Sequence, residues 1–364
     1  MFSLLKKPLV GIDIGSHSVK LAYLKQTKRG YELLHFGMVP LPPDTIVDGE
    51  VENPSAITDA IKNLLKAEKI PSGARHCVFS VSGQSVIIKK ITVPLMSEDD
   101  LAESIQQEAE QYIPFDIEEV NVAFQVVKAE GEVPEKGEKA PDDDDSQMDV
   151  LLVAAKKDVI AEQSEIIKNS GLKPTVVDLD VFALENGYEL AYGLAEDDTF
   201  ALINVGASVT NVNIIENGIT AYTRDIALGG NAVTESIQKN MGVGFRDAEK
   251  FKLGHLDESA SKDDFVAAIK SGVAEICEEI KKTFEMFQRT SEGHVRRIYL
   301  CGGGALLDGI TGIIMQEVGL DCELINPFLG MKINRRRFDE EYIEKIAPVA
   351  VVAIGLATRK LDES

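Results

Sequence analysis

The sequence predicts an α/β fold of two lobes that face each other across a cleft. Two observations carry this expectation. The stretch "GIDIGSHSVKLAYL" (11–24) is an alternating strand, a polar turn and a second alternating strand, and "FALINVGASVTNVNIIENGITAYTRD" (200–225) repeats the plan. A third element, "RRIYLCGGGALLDGI" (296–310), is an apolar strand that runs into Gly302-Gly303-Gly304 and then a helix.

In the first copy Val10, Ile12 and Ile14 alternate with small or charged positions, and Val19, Leu21 and Tyr23 resume the alternation. Gly15 permits the turn, and Asp13 and Ser16 are residues a plain hairpin turn also uses. The second copy places Ile203-Asn204-Val205-Gly206-Ala207-Ser208 over Ile12-Asp13-Ile14-Gly15-Ser16-His17. Each hairpin continues through a polar turn, Thr27 to Gly30 and Glu216 to Gly218, into another strand. Backbone N–H groups freed at two facing turns form anion-binding concavities that can clamp a phosphate chain from opposite sides. The three glycines let backbone approach a flat ligand, and the helix start behind them favours negative charge.

These motifs resemble the actin-like ATPase superfamily of actin, heat-shock chaperones, sugar kinases and the cell-division protein FtsA. The resemblance implies that Asp13, Gly15, Ser16, His17, Ser18 and Lys20 form the first phosphate motif, and Asn204, Gly206, Ala207 and Ser208 the second. It implies that Gly302, Gly303 and Gly304 back the adenosine. "CEEIKKTF" (277–284) resembles the chaperone segment that holds adenine and ribose, which assigns Glu278, Lys281 and Lys282; the alternative is a solvated charged helix face. ATP or ADP with Mg²⁺ is the implied cofactor. Lys20 offers a point charge, and Asp13 would meet hydrated Mg²⁺ through water.

"SIQQEAEQYIPFDIEEV" (104–120), "MDVLLVAAKK" (148–157) and "VDLDVFALENGY" (177–188) resemble the PilM family of type IV pilus assembly proteins. That resemblance covers nearly the whole chain. It implies a cytoplasmic, ATP-binding scaffold recruited to the inner face of the bacterial inner membrane. The partner it implies is the cytoplasmic N-terminal peptide of PilN, with the PilN/PilO platform reached through it, in pilus assembly and twitching motility. A homo-oligomer or ring and contacts with pilus motor ATPases are further expectations. The peptide groove is expected near Tyr112, Ile113 and Phe115, which could equally be core.

Each element follows in order. Strands near 8–14, 18–26 and 31–39 form a meander. Asn53 and Pro54 start a helix whose Ile57, Ile61, Leu64 and Leu65 form one face. A strand at 77–83 completes the first part of the first lobe, residues 1–85. Residues 86–171 read as an inserted β-α-β-β-α unit, the subdomain 1C of FtsA and PilM. Its first helix opens at the Ser97/Asp100 capping box and reaches about Ile113, where Pro114 stops it. The acidic stretch 129–147 cannot bury enough surface to order itself, so a mobile loop is expected. Residues 172–198 return to the first lobe, 199–345 form the second with a helical inset near 231–290, and 346–364 hold a helix that crosses back. Pro348 is expected in that helix's first turn.

One departure bears on chemistry. Hydrolytic members of the superfamily carry aspartate at the second phosphate turn, where this chain has Asn204. An amide cannot hold Mg²⁺ or orient an attacking water as a carboxylate does. Asp178, Asp180 and Glu185 are the remaining candidates to polarise water, unless they only cap the next helix. Tight binding with slow or no hydrolysis is the expectation.

Composition narrows the classes. The formal net charge of −22 over 364 residues disfavours nonspecific nucleic-acid or anionic-membrane binding. Cys77, Cys277, Cys301 and Cys322 show no C-x-x-C pairing and no His cluster, so reduced core thiols are expected rather than a zinc site. The longest apolar run, "IAPVAVVAIGLA" (346–357), falls short of the roughly 20 residues a membrane span needs. The first ten residues lack a signal-peptide pattern. An FtsA-type scaffold would need a C-terminal amphipathic anchor that "ATRKLDES" does not supply, and a small-molecule kinase would need a base that Asn204 is not.

Overall fold

The computed structural model describes residues 8–129, 133, 146–194 and 197–360. The acidic stretch expected to be mobile lies almost wholly outside them, as do the first seven and last four residues. The chain opens with β1 (Val10–Ile14), β2 (Ser18–Thr27) and β3 (Gly30–Pro40). A short ribbon, β4 (Ile46–Val47) and β5 (Glu50–Val51), leads to α1 (Pro54–Ala67) and β6 (His76–Val81). Asn53 caps α1 by accepting from the Ala56 N–H at 3.1 Å, and Ile57, Ile61 and Leu64 are its buried face.

After a turn of 3-10 helix at Gly83–Ser85 come β7 (Val86–Pro94), α2 (Glu98–Ala109), β8 (Val120–Ala129) and β9 (Gln147–Lys156). Then follow α3 (Lys157–Asn169), β10 (Lys173–Leu179) and α4 (Asp180–Tyr192). The second half holds β11 (Thr199–Val205), β12 (Thr210–Glu216), β13 (Ile219–Ile226), α5 (Gly230–Met241), α6 (Phe245–Lys252) and α7 (Lys262–Gln288). It ends with β14 (Arg297–Cys301), α8 (Ile310–Val318), β15 (Asp321–Leu324), β16 (Lys332–Ile333) and α9 (Glu340–Ala357).

The two large sheets share one plan. The first runs β10-β6-β1-β2-β3-β16 and the second, read the same way, β15-β14-β11-β12-β13. In both, the first three strands are parallel and the next two antiparallel. The expected duplication is therefore a duplication of topology. Register agrees as well: Asp13 pairs with Lys20 across one hairpin, and Asn204 with Asn211 across the other.

The core is layered. The first sheet buries one face against α1 and α3. Between the sheets lie α4 and α9, where Leu184, Tyr188, Val351 and Leu356 meet Val78 of one sheet and Phe200 and Leu202 of the other. α5 to α8 cover the far face of the second sheet. α4 and α9 touch backbone to backbone. A methyl at Gly355 would overlap the Ala183 carbonyl, and one at Gly187 would lie 2.5 Å from the Val351 carbonyl oxygen. Gly11 admits α9 to β1 in the same way, with the Ala353 carbonyl 2.5 Å from its Cβ position.

The inserted unit is a three-stranded sheet, β7-β9-β8, with Leu101, Ile105 and Ala109 of α2 packed on one face. Three boundaries differ from expectation. The sequence places α3 in this unit, but its Ile166 and Ile167 are buried in the first lobe's core, so the compact insert ends near Lys156 rather than 171. α2 ends at Ala109, and residues 110–112 form a turn before Pro114. The second lobe ends before β16, not at 345, because Lys332 and Ile333 already pair with β3 of the first sheet. α9 starts correspondingly early, where the Asp339 side chain accepts from the Tyr342 N–H at 3.2 Å. Pro348 thus sits inside α9 rather than in its first turn. Among the described residues no helix is long and apolar enough to cross a membrane.

Candidate functional site

The two hairpin turns close identically. The Gly15 N–H donates to the Ser18 carbonyl at 3.1 Å, and the Gly206 N–H to the Val209 carbonyl at 2.9 Å. Among the described residues no acceptor is found for the N–H groups of Ser16, His17, Ala207 or Ser208. The Gly230 and Asn231 N–H groups hold the second turn by its Gly206 and Ala207 carbonyls at 2.9 and 2.8 Å. The Asn231 amide also donates to the Ser208 hydroxyl at 3.2 Å, while Ser18 is buried at the start of β2.

Charge differs between the turns. Lys20 and Asp13 form an ion pair of 3.1 Å beside the first. The matching positions of the second are neutral: the Asn204 amide donates to the Asn211 carbonyl oxygen at 2.9 Å. Asn211 in turn donates to Asp225 at 2.8 Å, and the other Asp225 oxygen accepts from the Gly83 N–H across the cleft.

The triple-glycine turn backs onto the second hairpin. Gly302 has φ 91°, and a methyl there would stand 2.4 Å from Asn204 Oδ1. One at Gly304 would stand 2.4 Å from Val205 Cγ1, whereas at Gly303 it would meet nothing within 4 Å. Two glycines are thus fixed by packing and the middle one faces open space. This cradle, with unpaired N–H groups and a lysine opposite, fits a phosphate-bearing ligand with a flat base. Among the described residues no cluster of three His, Cys, Asp or Glu side chains is arranged to hold a metal.

The three carboxylate candidates separate. Asp178 is buried in a two-pronged ion pair with Arg359 at 2.6 and 3.0 Å, which makes it structural. Glu185 accepts from Thr220 at 2.6 Å and from Asn213 at 3.3 Å, tying α4 to the second sheet; burial pushes its carboxyl up. Asp180 stands at the start of α4 in the cleft, with the Ser80 hydroxyl donating at 2.5 Å. Burial foremost, then the Asp13 carboxylate, raises its pKa to about 6; Asp225 adds, while Ser80 and Ser82 oppose.

Glu278, Lys281 and Lys282 lie on α7. Lys282 pairs with Glu278 and Glu279 at 3.2 and 2.7 Å, and Glu279 with Arg224 of β13 at 2.8 Å. Lys281 lies near Cys277 of the core. Sequence reasoning missed α6. Its Glu249 and Lys252 pair at 2.5 Å, and Lys252 donates to Thr234 at 2.7 Å and to the Gly230 carbonyl at 3.1 Å, beside the second turn. His17 feels both from the opposite lobe: desolvation lowers its pKa, Glu249 opposes, and Lys252 and Lys20 lower it further. The available signal was an acid and a lysine one turn apart soon after Gly229-Gly230.

In the inserted unit Ile113 is buried core. Tyr112 and Phe115 are half-buried, with Lys89 and Lys156 ammonium groups 4.7 and 4.6 Å from their ring centres. All four cysteines are free and buried; burial raises Cys77 to about 12 and Cys277 to about 11, which keeps them thiols.

Comparison with known proteins bears on the fold and the family. The solved "PilM-PilN type IV pilus biogenesis complex" superposes with a TM-score of 0.83 at 29% identity, covering 97% of this chain and 98% of that one. An ethanolamine utilization protein EutJ from Carboxydothermus hydrogenoformans gives 0.55 at 12% identity, covering 98% and 93%. MreB5 of Spiroplasma citri, solved with AMPPNP, gives 0.50 at 14%, covering 87% and 91%. The fold is that of the actin-like ATPases. Among curated relatives, FtsA of Bacillus subtilis is 24% identical over 288 residues, 71% of this chain and 61% of FtsA. EutJ of Escherichia coli is 23% identical over 125 residues, 34% of this chain and 40% of that protein. The chain thus spans less than two thirds of these relatives. The family description "Type IV pilus assembly protein PilM" matches residues 11–361, and the chain belongs to that family.

Proposed function

We propose that the protein is a nucleotide-binding scaffold of type IV pilus assembly that holds the cytoplasmic N-terminal peptide of PilN. The observation that carries the nucleotide half is the pair of identically closed turns with outward N–H groups. The PilN half is supported by family membership and by the likeness to a PilM-PilN complex.

Ser16, His17, Ala207 and Ser208 would donate to phosphate oxygens, with Lys20 as the counter-charge. Gly303 would face the base, and Glu249 and Lys252 would line its rim. Asp13 would hold Mg²⁺ through water. Bound MgATP would supply concentrated negative charge between the lobes, and with it a preference for the closed cleft.

Little in the chain favours rapid hydrolysis. Asn204 spends its amide on Asn211 and presents no carboxylate. Asp180, raised to about 6, has an affinity that suits taking a proton near neutrality, and the Ser80 hydroxyl donates to one of its oxygens. Recruitment to the membrane would come through PilN.

The test is calorimetric titration of a PilN-type N-terminal peptide into the full chain, with and without MgATP. Micromolar or tighter binding is expected. A folded protein that binds MgATP but no such peptide would remove PilN from the proposal.

A further inference from the structure

The inserted unit grows from a special place. β6 and β14 hold equivalent positions in their sheets, and each runs into a single turn of 3-10 helix led by a glycine of positive φ. In the second lobe that turn is Gly303–Leu306 of the nucleotide cradle. In the first lobe it is Gly83–Ser85, and β7 leaves it to build the insert. The root of the insert is therefore the symmetry counterpart of the adenosine turn.

A hydrogen-bonded chain joins that root to the opposite phosphate turn. Asn204 donates to Asn211 at 2.9 Å, and Asn211 to Asp225 Oδ1 at 2.8 Å. Asp225 Oδ2 accepts from the Gly83 backbone N–H at 2.5 Å, an interlobe contact between residues 142 positions apart in sequence. Asp225 also presses electrostatically on Asp180 across the cleft. A carboxylate gripping a backbone N–H at a glycine turn is a charge-assisted bond with little slack. A displacement of β13 with the second lobe is thus transmitted to the start of β7.

We propose that Asp225 is the positioning residue through which the nucleotide cleft sets the inserted unit. Ligand in the cleft draws β13 toward Gly83 and tightens the root of β7; the open cleft releases it. This inference rests on the nucleotide-scaffold reading and adds to it the route of coupling.

The experiment is hydrogen-exchange mass spectrometry on the full chain, with and without MgATP, for wild type, Asp225→Ala and Asp225→Asn. In wild type, MgATP should slow exchange across 83–93 by about fivefold or more. In Asp225→Ala that slowing should vanish, while MgATP still protects the turns at 15–18 and 206–209. Asp225→Asn keeps one acceptor and should retain only part of it. It decides the matter if the alanine variant does not fold, and unchanged protection in it overturns the proposal. So does unchanged protection of 83–93 in a folded Asp225→Ala. Wild type that binds MgATP and protects its turns but not 83–93 sinks the coupling and leaves the scaffold reading standing. Wild type that binds no MgATP sinks both.

Discussion

Asp180→Asn should make the protein more stable, and by an amount that depends on pH. The carboxyl stands in the cleft beside Asp13, and burial with that neighbour raises its pKa from 3.8 to about 6. The folded state therefore prefers the neutral acid more strongly than the unfolded chain does. That stabilising contribution is fully present below the ordinary carboxylate range and is lost as pH rises through about 6. Asparagine is a permanent neutral substitute of the same shape, and the Ser80 and Ser82 hydroxyls can still bond to it. The advantage of the variant should grow from about 1.5 kcal/mol at pH 5 to about 3 kcal/mol at pH 7.5. The upper figure is a ceiling, because Asp180 as a residue is only partly buried. Urea unfolding of nucleotide-free protein across pH 5–8 measures it, with equal slopes for both proteins as the control. A stability difference that stays flat with pH, or that shrinks toward pH 8, would refute the reasoning.

Three further outcomes are expected. Lys20→Ala removes the cation beside the first turn and should weaken MgATP binding about 10- to 100-fold by calorimetry, with the fold intact. Gly302→Ala and Gly303→Ala should diverge. The first forces a methyl against Asn204 at positive φ and should cost about 1–3 kcal/mol in denaturant unfolding, while the second should stay within about 0.5 kcal/mol of wild type yet lose nucleotide affinity. Arg359→Ala leaves buried Asp178 without its cation, and thermal or urea unfolding should show a loss of about 2 kcal/mol, moderated because the guanidinium is partly exposed.

What could be read from sequence was what local rules encode. Strand alternation and a glycine at each tip reveal both hairpins because side chains alternate with period two and the turn needs a small residue. Asn53-Pro54 and Ser97-Asp100 reveal helix starts because a cap is a contact within three residues. The failures are contacts that local rules do not reach. Glu249 and Lys252 look like an ordinary solvated pair until α6 is folded against Gly230. Glu278, Lys281 and Lys282 were reachable only through the resemblance to a chaperone segment, and the partners the fold gives them, Glu279 and the neighbourhood of Cys277, are not encoded by local rules. α3 follows the insert in sequence, but its Ile166 and Ile167 complete another core. Pro348 reads as a helix start, whereas the capping residue lies nine positions earlier at Asp339. Inside α9 the proline's carbonyl accepts from the Gly302 N–H at 2.8 Å, so the helix is anchored to the cradle at that point.

The glycine contacts of α4, α9 and β1 decide how the two lobes can move. Most packed helices are separated by side chains, which can change rotamer and let one element slide over another. At Gly355, Gly187 and Gly11 there is no such padding, and main chain rests on main chain. Sliding would drive carbonyl oxygens into backbone, so rocking about the crossing is the cheap motion. The crossing behaves as an axle. Opening of the cleft is then reduced to nearly one angular coordinate, and a small rotation there becomes a larger arc at every part far from it. Bulk added at any of these glycines should force main chain off main chain and destabilise the crossing.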